Sequence, residues 1–238
     1  MIENENPSSM AVLQTRSLSK IFGDTASKLS VLHNVNLDVR PGESLALIGE
    51  SGAGKSTLLY LLGALDKPTS GDVFYNSRAL SSFSGTDLAN YRNSQVGFVW
   101  QNYHLLIEFT ALENVAMPLL IAGEAHQDAF SKARLWLDRV GLALRTEHLA
   151  GELSGGEQQR VAIARSLVAS PKIVLADEPT GNLDRSTAKV VADLLLSFPK
   201  TWGLSLVVAT HNQKFAARFD RTLMLEEGNL VVVENEVS

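Results

Sequence analysis

Residues 44–57 read SLALIGESGAGKST: a wholly apolar run passes through glycines into a lysine, a serine and a threonine, and LLYLLGAL follows with helical composition. No other stretch narrows the possible folds as far. G-x-x-x-x-G-K-[ST] between a buried strand and a helix describes a loop that wraps a triphosphate. Gly49, Gly52 and Gly54 give the backbone its freedom to curl. The N–H groups along Gly49, Glu50, Ser51, Gly52, Ala53, Gly54, Lys55, Ser56 and Thr57 then point inward as an anion cradle. Lys55 would reach the β- and γ-phosphates, and the Ser56 hydroxyl would serve Mg²⁺. A chance glycine turn ending in a surface lysine would explain neither the strand before it nor the helix after it.

The remaining patterns fit an α/β chain. KIVLADE (172–178) and LSLVVATH (204–211) are continuous apolar runs, as expected of parallel strands covered on both faces, and QVGFVW (95–100) is a further apolar strand. Short alternating runs from Val12 to Val39, with a turn around GDTASK, suggest antiparallel strands, and GDVFYN adds another β segment. TLMLEEGNLVVV reads as a hairpin turning at Glu227, Gly228 and Asn229. Between about 102 and 170 the pattern becomes helical, through TALENVAMPLLIA, HQDAFSKARLWLDRVGL and the EQQR run. Helical patterns at 185–198 and 212–218 separate and follow the last central strands. The reading is an α/β core with a mostly helical insertion at about 102–170, within a domain spanning 11–238.

Composition limits the function classes. At 238 residues and 45% apolar content the chain has ample core, and its net charge of −5 lacks the basic excess of a general nucleic-acid binder, so no nucleic-acid partner is expected. The absence of cysteine excludes disulfides and thiolate metal sites. MIENENPSSM is polar and acidic, reads as a flexible tail over residues 1–10, and lacks the pattern of a signal peptide. Apolar runs such as LLYLLGAL fall far short of the roughly 20 residues of a membrane span. A membrane role would therefore be exercised from outside the bilayer.

Two further clusters carry chemistry. A nucleotide loop needs a carboxylate for its metal at a neighbouring strand end. KIVLADE offers Asp177 for the Mg²⁺ shell and Glu178 as general base toward an attacking water. His211 ends LSLVVATH at the same sheet edge, where ligands of open α/β sheets gather; as a lone histidine it could equally be a packed or capping residue. In LSGGEQQR (153–160), Ser154 and Glu157 have capping-box spacing. That leaves Gly155 and Gly156 unexplained, because each costs roughly 1 kcal/mol in a helix against alanine. Glycine suits a backbone that another group must approach, and helix N-termini attract phosphate, so a phosphate site is expected here.

Taken in order, the phosphate loop, LSGGEQQR, LADE, GNLD and ATH resemble the nucleotide-binding subunit of ATP-binding-cassette transporters, over residues 12 to about 233. The resemblance implies a P-loop NTPase core with an antiparallel β subdomain and a helical signature subdomain, using ATP and Mg²⁺. LSGGEQQR is similar to the family signature, which implies that Ser154, Gly155, Gly156 and Glu157 contact ATP held by a second copy of the chain, in a head-to-tail pair with two composite sites. Phe22 in SKIFG matches the aromatic that stacks on adenine, though it also reads as a core strand residue. Gln101 in FVWQN matches the glutamine that touches Mg²⁺ and senses the membrane partner. Asp184 in GNLD matches the loop that crosses between subunits, and His211 the switch histidine on the γ-phosphate. Many members have His-Asp where this chain has His211-Asn212, so the usual aspartate has no counterpart.

STLLYLLGALDKPTSGDV, LLIEFTALENVAMPLLIAG and LADEPTGNLDRST are similar to the branch of lipoprotein-releasing ATPase subunits, to which macrolide-efflux, cell-division and uncharacterised permease-linked relatives belong. This implies an ATPase at the cytoplasmic face of the inner membrane, peripheral to integral-membrane permease subunits, in a system that pushes periplasmic machinery by a mechanical stroke rather than passing substrate through the bilayer. Residues 102–121 would form part of the groove for a cytoplasmic helix of the permease; an amphipathic helix buried within the subunit is the plainer reading, compatible because only part of it would face the groove. A soluble cassette ATPase of DNA repair or ribosome function is the rival reading, but the chain has a single cassette, no sustained heptads and no basic arm. An unrelated P-loop kinase or switch protein would not carry the signature run.

Overall fold

The computed structural model describes residues 11–23 and 27–233. The expected tail at 1–10 and the tip of the turn in GDTASK lie outside the described residues. β1 (Leu13–Phe22) and β2 (Leu29–Val39) pair antiparallel, and β4 (Ser70–Tyr75) and β5 (Arg78–Ala79) extend them into a four-stranded sheet of order β2-β1-β4-β5. β3 (Ser44–Ile48), β6 (Val96–Trp100), β7 (Ile173–Asp177), β8 (Ser205–Ala209) and the terminal hairpin of β9 (Arg221–Glu226) and β10 (Asn229–Val232) form a six-stranded sheet of order β10-β9-β3-β8-β7-β6. From β9 to β6 its neighbours run parallel. Only the β9–β10 hairpin is antiparallel, and it turns at Glu227 and Gly228.

The apolar runs of the central strands are explained by two cores. Successive side chains of a strand face opposite ways. Ile173, Leu175, Val207, Ala209, Leu45 and Leu47 pack on one side of the large sheet, with α1 (Lys55–Leu62) and the antiparallel sheet. Val174, Ala176, Leu206, Val208 and Ala46 pack on the other, against α3 (Ala111–Ile121), α4 (His126–Arg139), α5 (Gly155–Leu167), α6 (Arg185–Trp202) and α7 (Gln213–Ala216). A strand buried on both faces has no polar alternation to display. A further short helix, α2 (Gly85–Asn90), leads into β6 through a π-helical turn at Tyr91–Gln95, and the sequence patterns do not anticipate it.

Residues 102–109 correct the expected helix over 102–121. The helix begins only at Ala111, with Thr110 as N-cap: its hydroxyl accepts from Glu113 N, and Glu113 accepts from Thr110 N. Upstream, the fully buried Asn114 side chain occupies the backbone of the segment, donating to the carbonyls of Leu106 (2.9 Å), Phe109 (3.3 Å) and Thr110 (3.0 Å) and accepting from Leu106 N (2.9 Å). Ala150 N donates to Phe109 O and Gly151 N to Ile107 O. With these groups bonded elsewhere, the i to i−4 ladder of a helix has nothing to use. Leu106, Ile107 and Phe109 stay exposed.

The second core rests on α6, whose Val191, Leu195 and Phe198 are fully buried. Leu195→Ala should lower stability by about 2–5 kcal/mol through lost transfer energy and the cavity left behind. Lys189→Ala, which removes only an exposed i,i+4 pair with Asp193, should change it by about 0.5 kcal/mol or less. Denaturant midpoints of both variants check this, and equal effects would mean that α6 does not anchor the core.

Candidate functional site

The phosphate loop joins the end of β3 to α1, and its glycines are required by contacts as well as by curvature. A Cβ at Gly49 would meet the Leu225 carbonyl oxygen at 2.4 Å, and one at Gly54 (φ 102°) would meet Val31 and Leu32 of β2 at 3.0–3.1 Å. The loop is thereby seated against the antiparallel sheet. Lys55 is buried, and its Nζ donates to the carbonyls of Gly49 (2.7 Å) and Glu50 (2.9 Å). The ammonium bends over its own loop, held by two neutral acceptors in the place where anions would bind.

The parallel register brings the acidic strand end beside the loop. Leu47 pairs with Ala209 and Ala209 with Asp177, while Trp100 of β6 also pairs with Asp177. Asp177 is half-buried, with the Ser56 hydroxyl beside it. Burial pushes its carboxyl above the usual range; the Ser56 hydroxyl opposes this, the Glu178 charge adds to it, and Lys55 draws it back.

Glu178 takes a left-handed backbone (φ 43°), uncommon outside glycine and concentrated at sites where surrounding contacts enforce it. Glu178 N donates to Ala209 O, and its carboxylate accepts from His211 N (2.8 Å) and Thr210 Oγ1 (3.2 Å) and lies 2.7 Å from His211 Nδ1. His211 is itself largely exposed, and Asn212 caps α7 by accepting from Phe215 N.

The structure brings Gln101 to the same edge, one residue beyond the Trp100–Asp177 pair. Its Nε2 donates to Asn182 Oδ1 (3.0 Å), and Asn182 Nδ2 returns a bond to Gln101 O (3.1 Å). Phe22 is exposed at the end of β1, with Lys20 Nζ 4.8 Å from its ring. It pairs with Leu29, two residues before the Val31 that touches the phosphate loop.

Ser154 is the N-cap of α5 in a complete capping box with Glu157, so the local reading of that spacing holds. Gly156 has a cause inside the chain, and Gly155 faces only the tip of a flexible tyrosine. A Cβ at Gly156 would come 2.3 Å from Thr187 Cγ2 of α6, and one at Gly155 would come 2.9 Å from Tyr103 Oη. Asp184 caps α6, accepting from Ser186 N (2.9 Å) and Thr187 N (3.1 Å), and these bonds with the Ser186 and Thr187 side chains hold its carboxyl far below the ordinary range. Ser154 and Asp184 open two packed neighbours, α5 and α6.

Sequence reading missed Thr210, Asn182 and Gln159. Thr210 and Asn182 flank motif residues and carry no signal of their own. Gln159 is wholly buried, and its Nε2 donates to Pro179 O (2.6 Å), tying α5 to the turn after β7. A glutamine on the apolar face of a helix hints at such a bond without naming its partner.

A family model described as ABC transporter matches residues 32–181. Lipoprotein-releasing system ATP-binding protein LolD of Geobacter metallireducens is 51% identical over 221 residues, covering 93% of this chain and 98% of that protein. The protein of the same name from Coxiella burnetii is 49% identical over 220 residues, covering 92% of this chain and 94% of its own. Among solved structures, a dimer of the ATP-binding cassette MJ0796 in a post-hydrolysis state, bound to ADP and Pi, superposes with a TM-score of 0.85 at 33% identity, covering 94% of this chain and 99% of that one. A second dimeric structure of that cassette gives the same TM-score at 35% identity, covering 92% and 96%.

A carboxyl whose pKa is raised in the fold holds its proton more tightly folded than unfolded, so its ionisation costs stability as pH rises from the ordinary value of 3.8. Asp177→Asn should therefore raise the thermal midpoint of the nucleotide-free chain at neutral pH, with the gain fading as pH approaches 3.8. Thermal unfolding across that range checks it. A lower midpoint at neutral pH would mean that the Asp177 charge stabilises the empty site.

Proposed function

The chain belongs to the ABC transporter family, and on that premise we propose that it is the ATP-hydrolysing subunit of a transporter that releases lipoproteins from the inner membrane toward the outer membrane. The observation that carries the activity is the convergence of Lys55, of Asp177 beside Ser56, and of the Glu178–His211 contact on one sheet edge. The choice of cargo rests on the near full-length similarity to lipoprotein-releasing ATP-binding proteins.

In this reading Lys55 leaves its two carbonyls for the β- and γ-phosphates of ATP, because charge-assisted hydrogen bonds to phosphate are roughly twice as strong as those to neutral acceptors. The backbone N–H groups of residues 49–57 cradle the remaining oxygens, and the exposed Phe22 ring offers a face to adenine. Glu178 takes a proton from the water that attacks the γ-phosphorus, while the bond to the ADP oxygen breaks. His211, already on the Glu178 carboxylate, aligns that base and reaches the γ-phosphate.

The oxygen donors Ser56, Asp177 and Gln101 suit a hard cation such as Mg²⁺, and Ser56 lies close enough to Asp177 to act on its carboxyl. When bound, Mg²⁺ would neutralise charge on the β- and γ-phosphate oxygens.

Two copies pair head to tail, so that the Ser154–Glu157 turn of each faces the nucleotide of the other and Asp184 lies between them. The Gln101 segment and the exposed Leu106, Ile107 and Phe109 face the permease. Among the described residues no helix is long and apolar enough to cross a membrane, which fits a peripheral subunit at the cytoplasmic face of the inner membrane.

Lys55→Ala should lose tight ATP binding. Glu178→Gln should bind Mg-ATP normally yet hydrolyse it about 10²–10⁴-fold more slowly, the usual contribution of a general base. Nucleotide occupancy beside phosphate release separates the two variants. Near-normal turnover in Glu178→Gln would move the base elsewhere, with His211 next to test.

A further inference from the structure

Glu157 presents a difficulty for the paired reading. It lies in the first turn of α5, where the phosphates of the partner's ATP would have to come. Its Oε2 accepts from Ser154 N (2.9 Å) and from Ser154 Oγ (2.8 Å). The carboxyl is held down to about 2, first by Arg145 and then by the Ser154 bonds, so it is ionised at any physiological pH. A negative charge at this position suits the isolated helix, whose N-terminus is positive. It does not suit a second, polyanionic occupant. It also engages the Ser154 hydroxyl proton, the one a phosphate oxygen would need.

Arg145 answers both problems. Its Nε pairs with Glu157 Oε1 at 2.9 Å, opposite the oxygen used by Ser154. The guanidinium is held in place: Arg145 ends a short 3-10 turn with its N–H on Leu142 O, and its Nη1 lies 3.4 Å from His148 Nε2. The carbonyls of Thr146 and His148 accept from Leu112 N (3.0 Å) and Ala111 N (2.9 Å) at the start of α3. Arg145 is nearly half exposed, and such a pair adds little to folding. Its effect on an incoming anion is another matter, because charge near an interface changes association more than stability.

We propose that Arg145 is a positioning residue of the composite nucleotide site: its ion pair cancels the Glu157 charge at the mouth of α5 and weakens the hold of Glu157 on Ser154, so that Ser154 can donate to the partner-bound γ-phosphate. The proposal rests on the head-to-tail reading of the preceding subsection. Arg160 lines the same cleft of about 200 Å³ as Ser154 and Glu157, so the test must isolate the Arg145–Glu157 pair rather than count cations.

The experiment uses the full-length chain carrying Glu178→Gln and follows mass by light scattering as Mg-ATP is added. Adding Arg145→Gln should raise the ATP concentration for half-maximal pairing roughly five- to tenfold, the size expected of one unbalanced charge several ångströms from a phosphate. Adding Glu157→Gln to that variant should recover most of the loss caused by Arg145→Gln, as a pairwise coupling requires. Arg145→Lys, which keeps the charge, should stay near the parent. If Arg145→Gln pairs like the parent, or if Glu157→Gln fails to rescue it, Arg145 has no such role even though the pairing reading stands. If the parent itself does not pair with Mg-ATP, the head-to-tail reading falls and this inference falls with it.

Discussion

Leu47 of β3 pairs with Ala209 of β8, and Ala209 pairs in turn with Asp177 of β7, so three strands end level at one edge of the large sheet. This register decides where the chemistry can be. It sets the phosphate loop, which leaves β3, beside the carboxylates that close β7 and the histidine that follows β8. Side chains alternate faces along a strand, so a slip by one residue would turn Leu175 and Val207 out of their core and carry Asp177 off the loop together. The two cores lock the register from both sides, which is why the apolar runs and the acidic edge cannot be separated.

The second half of the site is arranged by helix starts. Ser154 opens α5 and Asp184 opens α6, each satisfying N–H groups that a first turn leaves free. The two helices lie close enough that Gly156 has no room for a methyl group beside Thr187. The Ser154–Glu157 turn is thus part of a packed ridge within the chain, with Gln159 binding α5 to the turn after Asp177 and Glu178. The contact that explains Gly156 also sets the spacing of the two helix starts.

The phosphate loop, the central strands and the terminal hairpin were legible because each has a local cause: glycine spacing, two-sided burial, or a turn dipeptide. The irregular segment at 102–109 was not. Its apolar residues read like the front of a helix, and what prevents one is the Asn114 side chain together with backbone partners at 150 and 151. The left-handed backbone of Glu178 and the Arg145–Glu157 pair are likewise products of long-range packing, with no trace in spacing. Of the site, the residue types were readable and their company was not: Thr210 and Asn182 come in only because the fold brings them to Glu178 and Gln101.

The central claim is that each nucleotide is completed by the signature turn of the other copy, and mixing two separately disabled chains tests it most directly. Lys55→Ala removes one loop cation; Ser154→Arg blocks one signature turn. In a mixed pair, the loop of the Ser154→Arg chain meets the signature of the Lys55→Ala chain, and one composite site is intact. Equal mixing should restore about a quarter of the parent ATPase rate, since half the pairs are mixed and each carries one working site of two. If the mixture is no more active than the two variants measured apart, the signature does not act across the pair and the account fails at its centre.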